Sequence, residues 1–213
     1  MRVIIQQVDL DTCLTALILG VSPDDEIIVV RSKAALEDLA DPSVLCIECG
    51  GSGRVELNNF DHHDTAEELP PACRQAFEVQ GDSRSRDEKL ARLVDYVSLL
   101  DTSGPEALKR VSGLKGAFPT LSDVFSGMRL LVKDPREQLI KGMEILRLVL
   151  ERGLDPFGLM PELPEWCDYI QAKRRNDEEL ERAKAQARLF TTKGGLKAGY
   201  LKTNYFGALG GVI

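Results

Sequence analysis

The chain has 213 residues, 43% of them hydrophobic and 29% charged, with a formal net charge of −7. That balance suits one fair-sized domain plus a smaller one and excludes a disordered polyampholyte. The negative sign argues against generalised attraction to nucleic acid, which relies on cations replacing condensed counterions.

No stretch reaches the roughly 18 consecutive apolar residues of a membrane span. Met1 to Val8 lacks the basic start and cleavage site of a secretory signal, so the cytoplasm is the expected compartment and no membrane contact is expected. The five cysteines, Cys13, Cys46, Cys49, Cys73 and Cys167, are odd in number and lie mostly in apolar surroundings, as reduced thiols do. Charge is segregated: from Pro164 onward 9 Lys/Arg face 6 Asp/Glu, net +3, leaving 18 against 28, net −10, before it.

In chain order, Val3, Ile4, Ile5 and Val8 form an apolar run ending in Asp9-Leu10-Asp11, and Thr12 to Gly20 follows with helical spacing. Glu26 to Val30 reads as a second strand, Ser32 as the cap of a helix through Ala40, and Val44 to Glu48 as a third strand. This βαβαβ order predicts an α/β fold with a parallel sheet covered by helices on both faces, with ligands at the strands' carboxyl ends. Asp9, Asp11 and Glu48 fall at those ends, where three converging carboxylates are costly without a cation.

Beyond Asp61 the chain reads as mainly helical. Arg86 to Leu100 has helical spacing, and Asp134-Pro135 opens a strong helix stopped by Gly153. Pro161 to Pro164 marks a boundary between residues 1–160, the expected metal-binding catalytic domain, and 161–213, a linker helix and partial C-terminal substrate domain. In the second part Glu165 to Leu189 reads as helix and Ala198 to Leu201 as strand. Phe206 to Ile213 has no polar ending, which reads as a truncated chain.

The two histidines are adjacent, in Phe60-Asp61-His62-His63-Asp64. Imidazole nitrogen and carboxylate oxygen together suit a borderline divalent cation such as Mn²⁺. Each piece also has a plainer reading: the His pair as an exposed polar turn, and Asp9-Leu10-Asp11 as a strand end followed by a helix cap at Asp11 or Thr12. Cys46-Ile47-Glu48-Cys49 lacks the second half of a zinc site, and its cysteines are expected on opposite faces of the strand end. Gly50 to Gly53 lacks the Lys-Ser/Thr of a nucleotide-binding loop and reads as a tight turn, with phosphate cradling as the alternative.

Taken in order, DxD at Asp9 and Asp11, the acid Glu48 before Gly50-Gly51, Asp61-His62-His63, and the later acid Asp101 resemble the DHH phosphoesterase superfamily over roughly residues 1–105, in a branch with an acid-x-Gly-Gly second motif. That resemblance implies a metal-dependent hydrolase of phosphoesters or phosphoanhydrides using Mn²⁺ or Mg²⁺. Asp11, Glu48, His62 and Asp101 would hold one metal, and Asp9 and Glu48 a second, with Glu48 bridging. His63 would face the phosphate and Asp61 would orient the histidines or the loop, with Asp95 the rival for the place of Asp101. Ile5 stands where the family has a histidine, and Gln7 is a weak replacement. One well-formed metal site is therefore expected, with the second weak or empty. A small phosphorylated substrate or a short oligonucleotide is the expected partner, and a homodimer is compatible with this reading. A single-strand exonuclease and a degenerate member that binds without turnover are the rival functions.

Overall fold

The structure, a computed structural model, describes residues 1–81, 87–114 and 116–202. The first strand, β1 (Arg2–Ile5), leads through α1 (Leu10–Ile18) to β2 (Glu26–Val29), then α2 (Leu36–Ala40), β3 (Val44–Ile47) and the short β4 (Asn59–Phe60). All four strands are parallel in the order β2-β1-β3-β4, so the α/β fold read from the sequence is the one observed.

Side chains alternate across β1 and β3 with the two-residue period of a pleated strand. Val3, Ile5, Leu45 and Ile47 enter the main core beneath α1, while Ile4, Val44 and Cys46 enter a smaller cluster with Leu39 of α2. With both faces covered, β3 is apolar throughout and β1 is apolar after Arg2. The edge strand β2 is only half-buried. Asp41 ends α2, and Ala35 rather than Ser32 begins it, so this helix is a single turn and a half.

The main core is completed by α3 (Ala72–Val79), α4 (Glu88–Ser112), α5 (Leu121–Leu131), α6 (Pro135–Arg152) and α7 (Cys167–Lys184). Asp87 caps α4 by accepting from the Lys89 and Leu90 N–H groups at 3.0 and 3.3 Å. Gly104, with φ 71° and ψ 177°, breaks α4 ahead of Pro105, and the helix resumes beyond it. Asp134 caps α6, accepting from the Glu137 N–H at 2.8 Å, and Gly153 ends it at φ 61°, as the sequence predicts. The α5 cap is a reciprocal box in which Thr120 and Asp123 each accept the other's backbone N–H.

The segment after Pro164 differs from expectation at its far end. Helix α7 stops at Lys184, and Arg188–Thr191 (β5) pairs antiparallel with Lys197–Tyr200 (β6) around Gly195 at φ 82°. The β-branched and aromatic run Phe190-Thr191-Thr192 before Gly194-Gly195 is a hairpin pattern that outweighs continuation of the helix. Arg86 and the Phe206–Ile213 stretch, with Gly210 and Gly211, lie outside the described residues. Among the described residues no helix is long and apolar enough to cross a membrane.

The two helices α5 and α7 approach so closely that a Cβ added at Gly127 would lie 1.9 Å from the Tyr169 carbonyl oxygen. That oxygen belongs to the backbone and can only yield by separating the helices. Gly127→Ala is accordingly expected to lower the free energy of unfolding by about 1–3 kcal/mol, measured as an earlier urea midpoint with an unchanged slope.

Candidate metal centre

The carboxyl ends of β1, β3 and β4 carry the acidic residues singled out in the sequence, at the point where the strand order reverses between β1 and β3. Asp9 follows β1 and is the N-cap of α1: its Oδ1 accepts from the Thr12 N–H at 2.9 Å and its Oδ2 from Gln7 Nε2 at 3.0 Å. The cap is thus Asp9, where Asp11 or Thr12 was expected. Asp11, within the first turn, is thereby free to bond a different helix.

Asp11 is 2% exposed, and its two oxygens accept from the backbone N–H groups of Ala72 and Cys73 at 2.9 and 2.8 Å. Those groups open α3, whose N-cap residue, Pro71, supplies no capping side chain. Asp11 thus caps a helix 61 residues downstream and pins α3 to α1. Burial raises its pKa to about 6, against the lowering effect of the Cys73 bonds, with Asp101 and Asp9 adding to the rise.

Glu48 follows β3 directly and is 4% exposed. Its φ of 54° is a left-handed conformation that non-glycine residues rarely adopt and that costs about 1–3 kcal/mol. The turn resets the strand's alternation. Cys46 and Cys49 consequently share one cluster, with Ile4 and Leu39, rather than facing opposite sides as the strand period alone predicts. Burial, followed by the charges of Asp11, Asp61, Asp9 and Asp101, pushes the Glu48 carboxyl up to about 10.

Asp61 follows β4 and is 3% exposed, with its acceptor capacity taken by the protein. Oδ2 accepts from the Gly50 N–H at 2.5 Å, and Oδ1 from the His63 N–H at 2.8 Å and lies 3.1 Å from His63 Nδ1. Its main-chain oxygen accepts from Gly53 N–H and from Gln75 Nε2 at 3.2 and 3.0 Å. Asp61 therefore ties the glycine turn to the histidine pair. Gly51 fits because a Cβ there, at φ 74°, would meet Asn59 at 2.9 Å.

His62 points inward. Its Nε2 lies 3.2 Å from Asp101 Oδ2 and 3.8 Å from Glu48 Oε1, and His63 Nδ1 lies 3.0 Å from Glu48 Oε2. Among the described residues, neither His62 Nε2 nor Glu48 Oε1, both buried atoms, has a hydrogen-bond partner. Burial, then the neighbouring His63, lowers the His62 pKa and favours the neutral ring, while burial raises that of Asp101.

Donor atoms thus gather in two groups that share His62: Asp11, His62 and Asp101, and Glu48, His62 and His63, with the atoms of each group within 4.8 Å of one another. These groups, buried at Asp11 and Glu48, half-buried at His62 and exposed at Asp101 and His63, could hold a metal ion. Asp9 joins neither group, although it stands on the same edge. Asp95, on α4, is bound to Arg74 and is 60% exposed at its side chain, whereas Asp101 stands beside His62. Ile5 is fully buried between Val29 and Ile47, and Gln7 lies past the end of β1 with its amide on Asp9.

Two supporting residues were not visible in the sequence. Gln75 of α3 reaches back to the carbonyls of Asp61 and Pro70 at 3.0 and 2.8 Å, holding both ends of the loop that follows the histidines. Asp64 accepts from the Ser52 hydroxyl, from Lys33 Nζ at 2.9 Å and from the Ser52 N–H at 3.0 Å, and these bonds, the hydroxyl's above all, keep its carboxyl well below the usual range. Nothing in the spacing of a lone Gln or of Lys33 marks such long-range contacts.

No family model, no curated protein and no solved structure matches the chain.

The raised carboxyl pKa values fix a pH dependence. Asp11 between 3.8 and about 6, and Glu48 between 4.5 and about 10, hold protons in the folded protein that the unfolded chain has released. More protons bound in the folded state means stability that falls as pH rises. The lowered His62 pKa acts in the opposite sense only around its ordinary value of 6.5. In EDTA the melting temperature is expected to fall between pH 7.0 and 8.5, and saturating Mn²⁺ to remove that fall, because ligation needs the deprotonated carboxylates. A melting temperature that rises with pH in EDTA would contradict this electrostatic assignment.

Proposed function

We propose that the protein is a divalent-metal-dependent phosphohydrolase, acting on a phosphoester or phosphoanhydride of a small substrate through one principal metal site formed by Asp11, Glu48, His62 and Asp101. The observation that carries this reading is the pair of orphaned buried atoms, His62 Nε2 and Glu48 Oε1, 3.8 Å apart, with Asp101 Oδ2 on His62 at 3.2 Å. The two atoms face each other unpaired, and each buried polar atom without a partner costs about 1–3 kcal/mol. A cation relieves both at once.

The donor chemistry favours Mn²⁺, since one imidazole with several carboxylates is a borderline set on which Mg²⁺ binds less readily. When bound, such an ion polarises a phosphoryl oxygen and acidifies a coordinated water. The chain's own contributions are separable from that chemistry. Asp11 and Asp101 supply charge, while Asp61 fixes the loop so that both imidazoles are presented together, their ring centroids 4.1 Å apart. His63, half-exposed and held at Nδ1, is placed to meet the substrate phosphate. The chain has no third histidine, and buried Ile5 offers no donor, which supports one strong site rather than two equal ones.

The test pairs calorimetry with turnover of bis(p-nitrophenyl) phosphate and pyrophosphate in Mn²⁺, Mg²⁺ and EDTA. His62→Ala is expected to weaken Mn²⁺ binding at least tenfold and to lower kcat/KM at least 100-fold. Asp95→Asn, which alters only the exposed ion pair with Arg74, should leave both unchanged. Turnover that survives EDTA, or that His62→Ala leaves intact, contradicts the proposal.

A further inference from the structure

A cavity of about 800 Å³ opens beside the metal centre and shares Asp9 and Asp101 with it. That volume lies in the upper part of the range for small-molecule sites, about 300–1,000 Å³, and far exceeds the needs of one phosphoryl group. Much of its wall is apolar: Leu100 and Leu108 come from the two sides of the break in α4, Leu114 and Phe118 from the following loop, Phe125 from α5 and Phe157 from the loop after α6.

The charges along the wall bear on the ligand as strongly as its apolar surface. Among the described lining residues two cations, Arg129 and Lys173, stand against four carboxylates, Asp9, Asp101, Asp123 and Asp177. Lys173 Nζ is engaged by Asp177 Oδ1 at 2.6 Å and lies 3.9 Å from Asp123 Oδ1. Away from the metal centre the described charges of this wall balance, Arg129 and Lys173 against Asp123 and Asp177, so the described wall offers no surplus of positive charge to hold a second phosphate. Apolar matter needs no such partner and gains roughly 25 cal/mol for each Å² it removes from water.

We propose that the substrate is a single phosphoryl group esterified to a bulky, largely uncharged alcohol, with the phosphoryl group at the Asp11–Glu48–His62–Asp101 centre and the alcohol in this cavity. The inference rests on the metal-hydrolase reading for the position of the phosphoryl group. It goes beyond that reading in setting aside pyrophosphate, polyphosphate and oligonucleotides, all of which carry several adjacent charges. Hydrolysis breaks the phosphorus–oxygen ester bond: water adds to phosphorus, the alkoxide leaves and takes a proton, and the products are inorganic phosphate and the neutral alcohol.

The test compares binding of two non-hydrolysable probes, 1-naphthylmethylphosphonate and methylphosphonate, to the full chain in Mn²⁺ by calorimetry. The naphthyl probe is expected to bind at least tenfold more tightly. Ser126→Trp, which adds bulk to a residue on the cavity wall, should abolish that advantage while leaving Mn²⁺ affinity and the melting temperature close to those of the parent chain. Equal affinity for the two probes, or a naphthyl advantage untouched by Ser126→Trp, overturns the proposal. Repeating both titrations in EDTA separates the two levels of inference, because loss of methylphosphonate binding reports on the metal and the naphthyl advantage reports on the cavity. Turnover assays of 1-naphthyl phosphate, a nucleoside 5'-monophosphate and tripolyphosphate then distinguish hydrocarbon, nucleoside and polyanionic substrates. The first two are expected to exceed the third in kcat/KM, and a preference for tripolyphosphate contradicts the inference.

Discussion

Five carboxylates and two imidazoles crowd the carboxyl edge of one small parallel sheet, and the surrounding architecture is organised around keeping them there. Burying a carboxylate disfavours its ionised form, and neighbouring carboxylates disfavour it further. Glu48 experiences both effects, with its carboxyl raised to about 10 by burial and by the charges of Asp11, Asp61, Asp9 and Asp101. A protein that needed only a stable sheet edge would place smaller, uncharged side chains there. The arrangement is intelligible as a receptacle for positive charge.

The backbone divides these groups into two classes. Asp9, Asp11 and Asp61 each accept main-chain N–H bonds, from the openings of α1 and α3 and from Gly50 and His63 respectively, so they are held in place whatever else binds. Glu48 Oε1 and His62 Nε2 have no such bond and face each other. The first class builds the walls, and the second supplies donor atoms left without a partner among the described residues. Gln75 and the left-handed turn at Glu48 belong to the same scheme, since they fix the loop and the strand end from which the unsatisfied atoms project.

Much of the fold could be read in advance because its signals are local. Continuous apolar strands, the Asp134-Pro135 opening and the Gly153 stop of α6 each depend on a few adjacent residues, and all are observed. The adjacency of the only two histidines pointed to the site for the same reason. Contacts formed at long range escaped the sequence: the capping of α3 by Asp11, the grip of Gln75 on the Asp61 loop and the close passage of α7 over Gly127 link residues whose spacing carries no periodic mark. Cys46 and Cys49 were misplaced because strand alternation does not foresee a left-handed residue between them. Asp101 and Asp95 could be separated only by the packing of α4, which turns one toward His62 and the other toward Arg74.

The most direct measurement is the anomalous scattering of a crystal soaked in Mn²⁺. The account predicts a single dominant peak at about 2.0–2.3 Å from donor atoms of Glu48, His62 and Asp101, with Asp11 completing the set. A dominant peak elsewhere, such as between Asp123 and Asp177 on the cavity wall, or no peak near His62 in crystals that withstand the soak, would contradict it.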